Sequence, residues 1–204
     1  MGKQRTFWDD SGVFSGKAGK RLVQTSVTDP LVVDWLPKDV LSTKGRLGMT
    51  SAPGKCHEKG VTGIHRRSMD ADLSVLVAKH TRVVVTLMEP LELVENSMGG
   101  IEIELQTRGI SWIHCPIRDL SIPTSLRDLR AKIAEVRAHM TAGRHVVVHC
   151  RGGHGRTGLF VACVLTEFGH DAGTAIKLVC AARKGTIHND AQADFVHLYA
   201  NELG

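Results

Sequence analysis

"RHVVVHCRGGHGRTGLFVACVLTEFG", residues 144–169, holds a strand, a loop and a helix in one stretch. It opens on β-branched residues, Val146 to Val148, a run short enough for a buried strand. It closes on an apolar stretch from Leu159 to Leu165 that fits a helix, ended by a C-cap-like Gly169. Between them lies a loop with glycines at 152, 153 and 155, with Cys150 on the strand side and Arg156 at the helix start. Strand, tight turn and helix in that order form one unit of an α/β fold, whose ligands bind beyond the carboxyl ends of the strands.

The same alternation extends upstream and downstream. "SMDADLSVLVAKH" predicts a helix capped at Ser68 or Asp70 with Leu73, Leu76 and Val77 inward, and "RVVVTLM" a buried strand. "SMGGIEIELQTRG" reads two ways: Ile101, Ile103 and Leu105 alternate like a strand, yet a helix is needed at that point. "ISWIHCPI" is another strand, followed by a helix capped at Thr124 or Ser125 with Leu126, Leu129, Ile133, Val136 and Met140 at steps of three and four. Two helices close the chain, one with Ile176, Val179 and Cys180 on a face, the other with Phe195, Leu198 and Tyr199. Short extended pieces are expected at "PLVVDWLP" and at "RLGMTSAPGK" with its Pro-Gly turn. The expectation is an α/β fold, a mostly parallel central sheet flanked by helices.

Composition narrows the classes. With 204 residues, 42% hydrophobic and 23% charged, the chain suits one globular domain. No unbroken apolar run reaches membrane-span length, and the opening residues lack a signal-peptide core, so a cytoplasmic protein without a membrane span is expected. Five cysteines without regular spacing argue against a disulfide framework. Cys56, His57 and His65 match no standard zinc pattern, so neither a metal nor another cofactor is expected. Residues 1–68 hold twelve Lys/Arg against six Asp/Glu. The division expected is a basic flexible arm over 1–28 and a catalytic domain over 29–204.

The glycine loop carries the chemistry. A curl relieved of side chains at Gly152, Gly153 and Gly155 can aim successive amides at one point, where the following helix adds its positive end. That is an anion site, and its field favours a thiolate over a thiol. Arg156 offers a planar fork for two phosphate oxygens. A packing role for Cys150 would require neither the arginine nor the glycines.

The stretch His149 to Gly158, "HCRGGHGRTG", resembles the His-Cys-x5-Arg-Thr-Gly signature of the protein tyrosine phosphatase superfamily. "PIRDLSIP", residues 116–123, resembles the acid loop of the kinase-associated, cyclin-dependent-kinase-inhibitor-3-like branch of dual-specificity phosphatases. "RLGMTSAPGK" and "AIKLVCAARKGTIHNDAQADFVHLY" resemble that branch's early segment and closing helices, so the likeness runs from about residue 46 to 203. The resemblance implies a phosphomonoester hydrolase working through a phosphocysteine. Cys150 would be the nucleophile and Asp119 the general acid, Asp128 being set aside because it falls within the next helix. Arg156 and the loop residues Arg151, Gly152, Gly153, His154 and Gly155 would hold the phosphate. Thr157 would give its hydroxyl to the departing thiolate, and His149 would tune the cysteine through hydrogen bonds. Gln192 matches a water-positioning place, although His188 stands where a second polar residue usually falls.

On substrate the sequence leaves alternatives. Only one tyrosine, Tyr199, is present, so no aromatic phosphotyrosine-recognition loop is expected. The first reading is a phosphoprotein bearing phosphotyrosine or phosphoserine/threonine. Basic Arg151 and His154 inside the loop support a phosphoinositide or inositol phosphate as the second. A non-catalytic phosphate-reading module is the alternative of another class, favoured only if the cysteine, arginine or acid were missing. A nucleic-acid 5′-phosphate finds little support, because the arm has only Phe7, Trp8 and Phe14 for base stacking.

Overall fold

The computed structural model describes residues 23–60 and 63–202. The strands are β1 (Val23–Gln24), β2 (Asp34–Trp35), β3 (Leu47–Thr50), β4 (Cys56–Gly60), β5 (Gly63–Arg66), β6 (Thr81–Thr86), β7 (Ser111–His114) and β8 (His145–His149). The helices are α1 (Met69–Ala78), α2 (Pro90–Glu95), α3 (Ile101–Gln106), α4 (Leu126–Thr141), α5 (Gly155–Glu167), α6 (Ala172–Ala182) and α7 (Asp190–Asn201). A five-stranded sheet runs β2-β3-β8-β6-β7. Every pairing in it is parallel except β2 on β3, so the sheet is mixed, with a single antiparallel edge strand.

The valine runs explain the layering. Neighbouring side chains in a strand face opposite ways, and strands buried on both faces read as continuous apolar runs. Val83, Val85, Val146 and Val148 pack with α4, α5, α6 and α7, whereas Val84 and Val147 pack with Leu73 and Leu76 of α1 and Ile101 and Leu105 of α3. The helices thus cover both faces. β8 lies between β3 and β6, so the loop after His149 leaves the middle of the sheet.

Several expectations are sharpened or corrected. Ser68 and Ser125 are the caps of α1 and α4, each accepting a backbone N–H three residues on. "SMGGIEIELQTRG" resolves as helix: Ile101 and Leu105 are buried four apart while Ile103 is exposed, so the apparent alternation was incidental. Val77 and Leu198, read as inward, are exposed at 46% and 53% because neighbours one position away already occupy the core. Cys180 is only partly buried, with Ala172, Ala175 and Val179 forming the inner stripe of α6.

A second sheet, β1-β5-β4, was not anticipated. Its β4–β5 hairpin places His57 opposite His65, while β1 pairs with β5 in parallel. Most of the expected arm, up to residue 22, lies outside the described residues, whereas its last part contributes β1. Among the described residues no helix is long and apolar enough to cross a membrane.

Candidate active site

β8 ends at His149 and α5 begins at Gly155, leaving five residues to curl between them. Cys150 is buried, and the Gly153 N–H donates to its Sγ at 3.3 Å. Gly153 is the residue this curl cannot replace. Its φ is +74°, and a Cβ there would lie 2.1 Å from the Thr50 carbonyl oxygen of β3.

The loop's carbonyls are held from outside. Arg151 O accepts from Lys55 Nζ and from the Ala52 N–H, both at 3.3 Å. Arg183, at the end of α6, donates Nε to Gly153 O at 2.7 Å and Nη2 to Gly152 O at 3.2 Å, and is itself tied to Asp34. Within a planar trans peptide the C=O and N–H point in opposite directions. Drawing the Gly152 and Gly153 carbonyls to Arg183 therefore turns the amides of residues 153 and 154 the other way, and the Gly153 N–H meets the Cys150 sulfur.

Arg156 is 2% exposed, and its fork is already engaged on one edge. Nη1 and Nη2 donate to Glu92 Oε2 and Oε1 at 2.7 and 2.8 Å, and Nη1 also donates to Ile117 O at 3.0 Å. Burial opposes its charge, but the Glu92 hydrogen bonds and the nearby Cys150, Glu92 and Asp119 charges outweigh that and raise its pKa. One edge of the guanidinium is thus held by Glu92. Glu92, absent from the sequence reading, fixes the guanidinium plane. No sequence pattern marked it: on α2 Leu91 and Val94 are exposed at 69% and 66% while Glu92 is buried.

Asp119 lies in the loop between β7 and α4 and reaches the cleft. Its carboxylate accepts from Arg151 Nη2 at 2.6 Å and stands 2.9 Å from Arg156 Nη2. Asp128 sits in the first turn of α4 and does not line the cleft. Gln192 and Asn189 clamp the same loop. Gln192 Nε2 donates to Ser121 O at 3.2 Å, Asn189 Nδ2 to Leu120 O at 3.2 Å, and Gln192 Oε1 accepts the His188 N–H at 2.9 Å. The Gln192 amide also packs where a Cβ on Gly155 would come within 3.0 Å of it, so that glycine admits both Gln192 and His188 to the cleft.

His149 is fully buried with both ring nitrogens bonded, Nδ1 to Cys150 O at 3.3 Å and Nε2 to Thr86 Oγ1 at 2.8 Å. A carbonyl only accepts, so Nδ1 carries the hydrogen; in the neutral ring Nε2 then accepts from the Thr86 hydroxyl, which itself accepts from Trp112 Nε1 at 2.9 Å. Burial lowers the His149 pKa from 6.5 to about 4. The unfolded chain takes a proton here below about 6.5 and the folded one does not. The stabilisation is therefore complete above pH 6.5 and fades as pH falls toward 4. Burial likewise lowers His65 to about 4, with the same sign. The melting temperature is expected to drop across that window, by the equivalent of about 3 kcal/mol for His149, and less steeply in His149→Gln. A wild-type melting temperature flat with pH would contradict this.

Thr157 is buried, and its hydroxyl has no hydrogen-bond partner among the described residues. His154 is the N-cap residue of α5 and lies 5.9 Å from the His188 ring. Burial, then Arg183 and His188, lower its pKa, so it is less often charged near neutrality than a free histidine. Cys56 adjoins His57 on β4 but turns the other way, its thiol donating toward the Gly54 and Arg67 carbonyls.

These groups meet in one cleft of about 480 Å³. Cys150, Arg156, Asp119, Arg151, His154 and Gln192 all line it, as do Lys55, His57, His65 and Asn96 from outside the predicted set. "PGKCHEKG" carried no signal for this, because only the hairpin turns Lys55 and His57 back over the loop.

A family model described as "Polymorphic toxin system, DSP-PTPase phosphatase" matches residues 60–170. Rat cyclin-dependent kinase inhibitor 3 is 26% identical over 85% of this chain and 81% of its own length. An uncharacterized protein of Methanocaldococcus jannaschii is 43% identical over 53 residues, 26% of this chain and 35% of that protein, so the chain spans about a third of this relative. Among solved structures, kinase associated phosphatase with its catalytic-site cysteine changed to serine aligns with TM-score 0.77 and 22% identity, covering 85% of this chain and 96% of that one. PTPMT1 in complex with PI(5)P aligns with TM-score 0.62 and 17% identity, covering 77% and 91%. At such identities the structural likeness speaks for the fold, whereas the family model spans more than half the chain and includes the whole loop from Cys150 to Arg156. The chain therefore belongs to the DSP-PTPase phosphatases of the dual-specificity protein tyrosine phosphatase superfamily, with a kinase-associated-phosphatase-like fold.

Proposed function

We propose that the protein hydrolyses phosphomonoesters through a phosphocysteine. One observation carries the reading: the Cys150 sulfur takes a loop amide, while the Arg156 fork, oriented by Glu92, and the Asp119 carboxylate meet over the same loop. Cys150 attacks phosphorus; the S–P bond forms as the ester P–O bond breaks, and Asp119 gives its proton to the leaving oxygen. Asp119 then takes a proton from water as that water attacks phosphorus, releasing inorganic phosphate and the thiolate. Preorganised amides and the arginine stabilise the equatorial oxygens in both steps. Thr157, whose hydroxyl has no other partner among the described residues, donates to the departing sulfur. Gln192 holds the acid loop in place, so its part in orienting water would come after a change in its bonds to Ser121 and His188.

The first substrate reading is a phosphoprotein, with phosphotyrosine and phosphoserine/threonine both admitted, supported by likeness to kinase associated phosphatase. The second is a phosphoinositide or inositol phosphate, favoured by the additional basic side chains along the cleft. Phosphate release from a phosphotyrosine peptide, a phosphothreonine peptide and a short-chain phosphoinositide separates these readings.

Asp119→Asn tests the acid. Its turnover on substrates with poor leaving groups is expected to fall by about 10²–10⁴-fold. Phosphate binding should tighten in the same variant, because the carboxylate that competes for Arg151 and Arg156 is gone. Unchanged turnover of an alkyl phosphate would move the acid role elsewhere.

A further inference from the structure

We propose that the β4–β5 hairpin completes a second anion subsite in the cleft, made by Lys55, His57 and His65, which takes the second phosphate of a polyol bisphosphate of the inositol type. This deepens the second substrate reading and rests on the phosphomonoesterase reading itself. Lys55, immediately before β4, and His57 within it both line the cleft, and the register sets His65 opposite His57. Lys55 and His65 are 7% and 6% exposed and line the cleft together with Cys150.

The hairpin is braced to keep these groups there. Arg67 forms a two-pronged buried pair with Asp72, Nε to Oδ2 at 2.7 Å and Nη2 to Oδ1 at 2.9 Å, and Asp72 Oδ2 also accepts the Gly54 N–H at 2.7 Å. The Pro53-Gly54 turn is thereby tied to α1. Lys55 then reaches back to Arg151 O with one of its three donors, and among the described residues its ammonium forms no ion pair. Arg67, by contrast, is neutralised by Asp72 and Asp29.

Arg67 and Arg151 stand near the Lys55 ammonium, with Cys150 and Asp29 as the opposing charges. Burial, then Arg67, lowers Lys55 to about 8, which leaves it charged at neutral pH, and His65 is depressed by Lys55 and Arg67 after burial. With His65 lowered to about 4 and so neutral at pH 7, Lys55 supplies the charge of the subsite, and an incoming anion relieves its buried ammonium. The ligand is compact, because an ammonium this deep is beyond the reach of a second phosphate carried along an extended surface peptide. It also carries a hydroxyl: Asn96, 1% exposed and lining the cleft, has its Oδ1 buried without a hydrogen-bond partner among the described residues while its Nδ2 donates to Glu92 O at 2.7 Å. A polyol phosphate supplies phosphate and hydroxyl together.

The test is a ratio. Wild type, Lys55→Met and His57→Gln are assayed on a myo-inositol bisphosphate with neighbouring phosphates and on the corresponding monophosphate, with p-nitrophenyl phosphate and singly and doubly phosphorylated peptides in parallel. Wild type should prefer the bisphosphate in kcat/KM by about tenfold or more, the scale of a charge-assisted hydrogen bond. That preference should collapse toward one in both variants, a result that general damage to the loop would not produce. Binding of the same inositol pair to folded Cys150→Ser reads the subsite without turnover. Repeating the pair as phosphoinositides in mixed micelles distinguishes a lipid headgroup from a free inositol phosphate, and a preference in either form supports the subsite. Turnover of p-nitrophenyl phosphate with equal kcat/KM for the inositol pair overturns the subsite alone, and a second-phosphate preference seen only with peptides overturns the polyol assignment. Wild type inactive on every substrate overturns the phosphatase reading on which it rests.

Discussion

Cys150→Ser is expected to abolish phosphate release, lowering turnover on the order of 10⁴-fold or more, as in other enzymes that lose a covalent nucleophile. A serine oxygen fits where the sulfur sits, but an alcohol needs a base to become a nucleophile. Among the described residues the Cys150 side chain bonds the Gly153 N–H and no basic side chain. His149, the adjoining imidazole, bonds the backbone carbonyl of Cys150 and the Thr86 hydroxyl with its two nitrogens. The anion site does not depend on sulfur: Gly153 has its left-handed turn, Arg183 and Lys55 hold the loop carbonyls, and Glu92 orients Arg156. Binding of inorganic phosphate, read by calorimetry, should therefore survive in the serine variant. Lost turnover with retained binding separates the nucleophile from the scaffold. More than about one hundredth of wild-type turnover in the variant would be incompatible with a covalent role for Cys150.

Arg156→Lys should damage both activity and stability. Lysine keeps the charge but not the planar fork, so it cannot hold Glu92 through two parallel bonds and face the cleft at once. Glu92 would remain in a largely buried place, its side chain 11% exposed, with its partner displaced. Removing one member of a buried pair outright costs about 3–5 kcal/mol; lysine keeps the charge and Arg151 Nε also stands 4.0 Å from Glu92, so the substitution should cost part of that. Thermal or urea unfolding should show this partial loss, accompanied by a fall in kcat of several orders of magnitude. The double change Arg156→Met with Glu92→Gln should recover stability while staying inactive. Recovery of activity in that double variant would place the phosphate elsewhere.

The sheet and the loop were legible because local rules and tertiary demands agree there. The runs Val83–Val85 and Val146–Val148 can only be strands buried on both faces, and Cys150 to Arg156 combines glycines, thiol and guanidinium in a spacing that packing does not require. What the sequence hid depends on partners distant along the chain. Glu92 sits in a short helix, and its significance comes from Arg156, 64 residues away. Arg183 ends a helix, and its significance comes from its bonds to Gly153 and Gly152, 30 and 31 residues away. Lys55 and His57 belong to a hairpin whose register follows from pairing with β5, and nothing in "KCHEKG" states which face will be covered. Leu198 misled for the opposite reason: an apolar residue at helical spacing is not bound to face inward when Phe195 and Tyr199 already fill the stripe.

The measurement that bears most directly on the central claim is a search for the covalent intermediate. Wild type and Asp119→Asn are mixed with p-nitrophenyl phosphate, quenched in acid within the first turnover, digested, and the peptide containing Cys150 is weighed. One phosphoryl group is expected on Cys150, accumulating further in the asparagine variant because the water step loses its base. Rapid release of nitrophenol with Cys150 unmodified, or a phosphoryl group on another residue, would contradict it.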